Sequence, residues 1–183
     1  DRDQAEYIYR VKDMTALKGK AYAHKRNRVR AFLDGYEWDY DAITPNDFPE
    51  LLDFQERWRV HREGTMTADE AGSLDDEDKA IRCALDKWQD FPFSGGIIRV
   101  DGKIIAYTIA EELDPKNLDI RFEKAFSEYA GSYQAINYLF LKNYGYKYEF
   151  VNREEDMGEL GLREAKMSYN PVMMLEKFQI NIL

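Results

Sequence analysis

Residues 95–110 read Gly95-Gly96-Ile97-Ile98-Arg99-Val100-Asp101-Gly102-Lys103-Ile104-Ile105-Ala106-Tyr107-Thr108-Ile109-Ala110. Two β-branched runs flank an Asp-Gly pair that suits a two-residue turn with positive φ at both positions, so the segment is a β-hairpin. Residues 118–125, with Arg121, Glu123 and Lys124, follow as a third strand. Gly131 then opens a helix in which Ile136, Leu139, Phe140 and Tyr144 recur at helical spacing, with Gln134, Asn137 and Leu141 on another face. Residues 146–151 and 172–178 read as further strands. Between them a dense polar run, Asn152-Arg153-Glu154-Glu155-Asp156-Met157-Gly158, feeds a short helix carrying Arg163, Lys166 and Tyr169 on adjoining turns. Three consecutive antiparallel strands and a strand–helix–strand crossover predict an α/β (α+β) chain. Its sheet is mixed, mainly antiparallel and twisted, with helices on both faces.

The N-terminal half supplies the covering helices. Residues 7–11 read as an edge or entry strand, and Thr15 suits the cap of one helix that carries a basic segment and ends near Gly35, with Val29, Phe32 and Leu33 as its apolar stripe. Residues 36–43 alternate aromatic and acidic side chains like a half-buried strand, and Thr44-Pro45-Asn46-Asp47 starts a helix with Thr as cap and Pro at the first helical position. Residues 61–78 are the longest polar stretch and read as a loop ending in an acid-rich helix start. Their oxygen ligands miss the EF-hand spacing and no glycine stands at its turn position, which argues against a calcium loop. An amphipathic helix follows over about residues 75–90. Cys83 lies among its apolar residues, so packing in or near the core is expected of it.

Composition bounds the function. At 183 residues and 44% hydrophobic content the chain suits one domain, and no apolar run approaches the roughly 20 residues of a membrane helix. One cysteine excludes an internal disulfide, and no His or Cys cluster supports a metal site. No His is paired with a Ser or Cys nucleophile. The absence of a signal-peptide layout suggests a soluble, cytoplasmic protein. The lack of an initiating Met suggests a piece of something longer. A net charge of −9 disfavours non-specific binding to nucleic acid or anionic lipid. Residues 14–33 nevertheless contain Lys18, Lys20, Lys25, Arg26, Arg28 and Arg30 without an acid, so they carry +6 and leave −15 elsewhere. Because charges beyond about 8 Å are largely screened, a phosphate near this segment would respond to the local patch.

Five motifs, in order, carry a family resemblance: Leu17-Lys18-Gly19-Lys20-Ala21-Tyr22 with Arg26-Asn27; Glu123-Lys124-Ala125; Gly131-Ser132-Tyr133-Gln134-Ala135-Ile136-Asn137; the run from Asn152 to Gly158; and Gly161-Leu162-Arg163-Glu164-Ala165-Lys166-Met167-Ser168-Tyr169-Asn170-Pro171. Together they resemble the C-terminal domain family of phosphatidylglycerol lysyltransferases and its soluble relatives, within the GNAT acyltransferase superfamily. The resemblance implies acyl-CoA or aminoacyl-tRNA as donor, a small-molecule amine or hydroxyl acceptor, and no metal. It also implies either a preceding GNAT domain in tandem or a dimer. The glycine-rich pyrophosphate loop of the superfamily is reduced here to Ala130-Gly131-Ser132-Tyr133.

Acyl transfer needs a base for the nucleophile's proton, donors for the oxyanion and an acid for the leaving group. Glu123, inside a central strand, is the candidate base, against the alternative of a salt bridge to Arg121, Lys124 or Arg163. Tyr169 resembles in position the general-acid tyrosine of many GNAT enzymes, against a capping aromatic over Pro171. Gly131, Ser132, Tyr133, Gln134 and Lys166 are the candidate donor-binding residues. Lys20, Arg26, Asn137, Asn152, Arg153, Glu154, Asp156 and Arg163 are candidates for substrate binding, with a structural charge network as the alternative for the last four. Two other functions stay open: a catalytically inactive small-molecule-binding or regulatory module, and a nucleic-acid-binding domain using Lys25, Arg26 and Arg28.

Overall fold

The computed structural model describes residues 2–63 and 68–178. β1 (Glu6–Arg10) leads into α1 (Val11–Ala16), which stops where Leu17 takes a left-handed conformation, and α2 (Ala23–Gly35) follows. The basic segment is therefore split between two helices. Thr15 does not cap: it lies within α1, and its Oγ1 donates to the Val11 carbonyl. β2 (Trp38–Ala42) precedes a 3-10 turn at Pro45–Asp47, where the Thr44 backbone N–H donates to Asp47 Oδ2 at 2.8 Å, and α3 (Phe48–Glu63) continues from it. α4 (Ala68–Asp86) takes most of the polar stretch expected to be a loop; residues 64–67 of that expectation lie outside the described residues. Cys83 is exposed on α4 rather than packed.

β3 (Phe93–Val100) and β4 (Lys103–Asp114) form the expected hairpin, with φ of 51° at Asp101 and 73° at Gly102 as the tight turn requires. β5 (Asn117–Ala125), α5 (Ser132–Asn143), β6 (Phe150–Asn152), α6 (Leu160–Met167) and β7 (Met173–Leu175) complete the chain. Residues 145–147 form a 3-10 turn, so β6 is shorter than expected. The seven strands lie in the order β2-β3-β4-β5-β6-β1-β7, and β5 with β6 is the parallel pair among antiparallel ones. β1 is interior, between β6 and β7, rather than an edge strand. Its Tyr7 and Tyr9 are fully buried, and burial of two aromatic rings favours a place flanked on both sides.

Helices cover both faces. Tyr107 of β4 meets Phe54 and Gln55 of α3, whereas Glu123, paired across to the adjacent Thr108, meets Asn137 of α5 on the opposite face. One core lies around Phe32, Phe54, Ile97, Tyr107 and Ile136; a second joins Tyr7, Tyr9, Leu118, Phe140, Leu141 and Val151 beneath α5. Asn137 and Leu141, on another face of α5 from Ile136 and Phe140, are buried as well.

Two irregularities shape the centre of the sheet. The β4–β5 register runs Ala110↔Ile120 and then Ile109↔Phe122, so Arg121 is an inserted residue in a β-bulge. Side chains alternate faces along a strand, so this insertion turns Glu123 to the α5 face while Asp119 stays on the other. In addition, β5 pairs with β6 only over Asn117–Asp119, although β5 runs on to Ala125. Beyond Asn152 the chain is drawn towards β1: the Arg153 N–H donates to the Tyr7 carbonyl, Tyr7 N–H to the Glu154 carbonyl, and Glu154 adopts φ 55°. The two parallel strands diverge from there.

Gly131 precedes α5 with φ 86°, and a Cβ on it would stand 2.2 Å from the Arg28 carbonyl oxygen, so α2 and α5 approach through this glycine. Gly131→Ala should therefore separate the helices and destabilise the fold by about 2 kcal/mol or more, measurable by urea unfolding. Asp156, completely buried, accepts two hydrogen bonds from Arg163 (2.9 and 2.8 Å), one from the Gly158 N–H, one from Arg2 and one from the Tyr7 hydroxyl, tying the N-terminus to the loop before α6. Arg163 above all holds its carboxyl well below the usual carboxylate range. A folded-state value below the unfolded one gives stability that is present above about pH 4 and lost as pH falls further. Asp156→Asn should flatten that acid limb of the stability profile and lower the melting temperature at pH 7 by several degrees.

Candidate functional site

Glu123 bridges the opening between β5 and β6. Its Oε1 accepts a hydrogen bond from Arg153 at 2.6 Å and its Oε2 one from Asn137 at 2.9 Å; the side chains of Glu123 and Arg153 are 10% and 14% exposed. A desolvated ion pair of this kind persists because each partner's remaining groups are also engaged. The Arg153 guanidinium lies 4.9 Å from the Tyr169 ring centre and 6.0 Å from that of Tyr9, and the two rings meet edge to face. Tyr169 also carries the ammonium of Lys25, 4.2 Å from the ring centre. Lys25, Tyr169, Arg153 and Glu123 thus form one stack running from α2 through the end of α6 to β5.

Burial dominates the titration of this stack. It raises the Tyr169 phenol to about 12, so Tyr169 holds its proton at neutral pH, and it raises Tyr9 as well. Burial, and then the Arg153 charge, depress the amines of Lys25 and Lys166 to about 8. Among the described residues Lys25 has only a 3.5 Å contact to the Ala165 carbonyl in addition to the aromatic ring, which is thin compensation for a buried ammonium. Lys166 instead donates to the carbonyls of Arg153, Glu154 and Glu155 at 2.6, 3.2 and 2.5 Å. It fixes the backbone that presents Arg153.

Outside the stack lies an open groove of about 580 Å³ between α2, the start of α5 and α6. Gly131, Ser132, Tyr133 and Gln134 line it, as do His24, Lys25 and Arg28 of α2 and Glu164, Ala165 and Ser168 near α6. The first turn of α5 thus faces a basic wall, a combination that favours an anion. Lys25 belongs to both places: it lines the groove and touches the buried stack.

The structure gathers some of the sequence-selected residues and separates others. Glu123, Tyr169, Asn137 and Arg153 come together in the stack, and Gly131 to Gln134 in the groove, with Lys166 beneath the loop between them. Asp156 and Arg163 bind one another in the network described above, and Arg163 also reaches Asp3. Asn152 and Glu154 stand on the opposite face, where Asn152 donates to Glu6 at 2.7 Å and Glu154 pairs with Arg121 at 3.0 Å. Arg26 donates to the carbonyls of Leu17 and Gly19 at the α1–α2 turn, and Lys20 is exposed there. Sequence reading had Lys25 and Arg28 in a basic patch suited to a phosphate but did not join them to Gly131–Gln134 or Lys25 to the stack, and it missed His24 in the wall and Tyr9 in the stack. One signal was present: Lys25 precedes Val29 by four residues and Phe32 by seven, so a lysine occupies the apolar stripe of α2.

Among the described residues no helix is long and apolar enough to cross a membrane, and no group of three or more His, Cys, Asp or Glu side chains is placed to hold a metal. Several solved structures share the architecture. A conserved protein of unknown function from Bacteroides thetaiotaomicron is 36% identical with a TM-score of 0.86, over 96% of this chain and 58% of that one. L-PGS from Bacillus licheniformis is 14% identical with a TM-score of 0.60, over 92% and 57%. FemX is 8% identical with a TM-score of 0.66, over 95% and 60%. At those identities the last two speak for the fold, which is GNAT-like. The chain spans only some three-fifths of the length of each of these proteins. The family model described as phosphatidylglycerol lysyltransferase, C-terminal, matches residues 1–181, and the chain belongs to that family.

Proposed function

We propose that this chain is a GNAT-type transferase that moves an aminoacyl or acyl group from an anionic donor, aminoacyl-tRNA or acyl-CoA, to an amine or hydroxyl, acting in the cytoplasm where such donors occur. The observation that carries the reading is the double position of Lys25, in the wall of a basic groove and against the buried Tyr169–Arg153–Glu123 stack. A phosphate of the donor lies against the first turn of α5, His24 and Arg28, and the activated carbonyl reaches the stack beyond Lys25. Glu123 accepts the nucleophile's proton: as a carboxylate it has about four lone-pair positions, and Arg153 and Asn137 take two. Tyr169, protonated at neutral pH, supplies a proton to the departing oxygen or sulfur. Arg153 and Lys25 stabilise the oxyanion as it forms.

One observation favours the second reading, an inactive binding module. Both Glu123 oxygens are already engaged, and the space between the diverging strands is occupied by Arg153. The two readings share the groove and differ in turnover.

Thermal melting with acetyl-CoA, longer acyl-CoAs and aminoacyl-tRNA tests the groove. A donor at a hundred times its Kd should stabilise the protein by about 2.7 kcal/mol. Arg28→Glu, at an exposed site, should weaken that donor at least about tenfold without lowering the melting temperature of the free protein. Product detected by mass spectrometry should fall at least about a hundredfold in Glu123→Gln while donor binding is retained. No stabilisation by any of the donors would count against the groove, and binding without product would favour the inactive module.

A further inference from the structure

Lysine side chains normally keep their amines in water, and Lys25 does not. On α2 it shares a stripe with Val29 and Phe32, so the helix turns it inwards and leaves it 5% exposed. Its ammonium lies 3.5 Å from the carbonyl of Ala165 and 4.2 Å from the centre of the Tyr169 ring. Ala165 is exposed, and it lines the groove together with Lys25 and the first turn of α5. The amine therefore abuts the groove wall. Lys166 is the contrast: it is buried too, but its three N–H groups have the carbonyls of Arg153, Glu154 and Glu155 to bind at 2.6, 3.2 and 2.5 Å. Among the described residues the groove lining includes Lys25 and not Lys166.

The difference in surroundings is a difference in chemistry. A buried ammonium with one long hydrogen bond gives up its proton more readily than one with three, because its charge is poorly compensated. The neutral amine is the form that attacks a carbonyl. Burial, and then the Arg153 charge, already lower the amine of Lys25. A donor whose phosphate lay against the first turn of α5 and Arg28 would bring its acyl group past this amine on the way to Tyr169 and Glu123. A donor that meets no acceptor is then left beside a desolvated nucleophile.

We propose that Nζ of Lys25 is an acylation site, taking the acyl group of a thioester or ester that enters the groove when no acceptor is bound. The neutral nitrogen attacks the acyl carbonyl, a C–N bond forms as the bond to the leaving sulfur or oxygen breaks, and the proton shed by the nitrogen departs with the thiol or alcohol. The product is an uncharged amide. The groove wall loses one cation and Tyr169 its ammonium, so the modified chain holds an anionic donor less well. The site rests on the transferase reading for its natural donor; its reactivity follows from the surroundings of Lys25 alone.

Peptide mapping by mass spectrometry after incubation of the unaltered protein with acetyl-CoA, and separately with phenyl acetate, an uncharged acyl ester, tests it. Each reagent should acetylate Lys25 at least about tenfold faster than the exposed Lys18 and Lys20, and leave Lys166 unmodified. Free coenzyme A at about a hundred times its Kd should slow the reaction of acetyl-CoA at Lys25 at least about tenfold without protecting Lys18 or Lys20. Arg28→Glu should slow acetyl-CoA at Lys25 and leave phenyl acetate unaffected. Protein acetylated at Lys25 should lose most of the thermal stabilisation that acetyl-CoA gives. Rapid labelling of Lys25 by phenyl acetate but not by acetyl-CoA would support the site and count against coenzyme A as the donor, a failure of the donor reading alone. Lys25 modified no faster than Lys18 and Lys20 by either reagent, or Lys166 modified as fast as Lys25, would overturn the proposal even where acetyl-CoA stabilises the protein.

Discussion

Two parallel strands that part company cannot satisfy each other, and in this protein the gap between β5 and β6 is closed by a charge pair instead of a ladder. Glu123 and Arg153 meet at 2.6 Å across it. Taking such a pair out of water costs several kcal/mol per ion unless the environment replaces the lost hydration. Asn137 fills the second oxygen of Glu123, and Tyr9 and Tyr169 offer ring faces to Arg153. Lys166 holds the backbone of residues 153–155 in place through three carbonyl contacts. The bulge at Arg121 is the precondition, since it turns Glu123 towards α5. Remove any of these and the charges lose either their partner or their alignment.

The same divergence separates charge by sign. On the α5 face Arg153 pairs with one buried carboxylate and Lys25 lies beyond Tyr169, and the depressed amines of Lys25 and Lys166 record their burial and, after it, the Arg153 charge. On the other face Asp119, Glu111 and Glu154 outnumber Arg121, and the raised Glu154 records its burial and, after it, the Asp119 charge. A net charge of −9 conceals this arrangement. Glu123 and Arg153 lie between the two faces.

Much of the architecture could be read from local pattern. The Asp101-Gly102 turn, β5, the helix opened by Gly131 and the Thr44–Asp47 helix start all have strong short-range signals, and the five ordered motifs identified the family. The errors came where tertiary structure decides. β1 has the composition of any short strand, and its interior place follows from pairing with β6 and β7, far away in sequence. The polar stretch after residue 61 is helical on both sides of the undescribed residues 64–67, because amphipathic helices tolerate long charged faces. At the site, Glu123 and Tyr169 could be named from motif position. Their being joined by Lys25 and Arg153 could not, since no sequence rule brings α2, β5 and the end of α6 together. The bulge at Arg121 was equally hidden, and with it the reason that Asp119 and Glu123, both four residues apart on one strand, face opposite ways.

If donor binding is to act on the buried ion pair, the groove must communicate with it through Lys25. Side-chain nitrogen NMR, observing the Lys25 ammonium and the Arg153 guanidinium during titration with coenzyme A, tests this most directly. If a phosphate-bearing ligand enters the groove as described, both resonances should shift along one saturation curve, with Arg121 on the opposite face unchanged. Shifts confined to exposed basic residues of α2, with Lys25 and Arg153 silent at saturation, would contradict it.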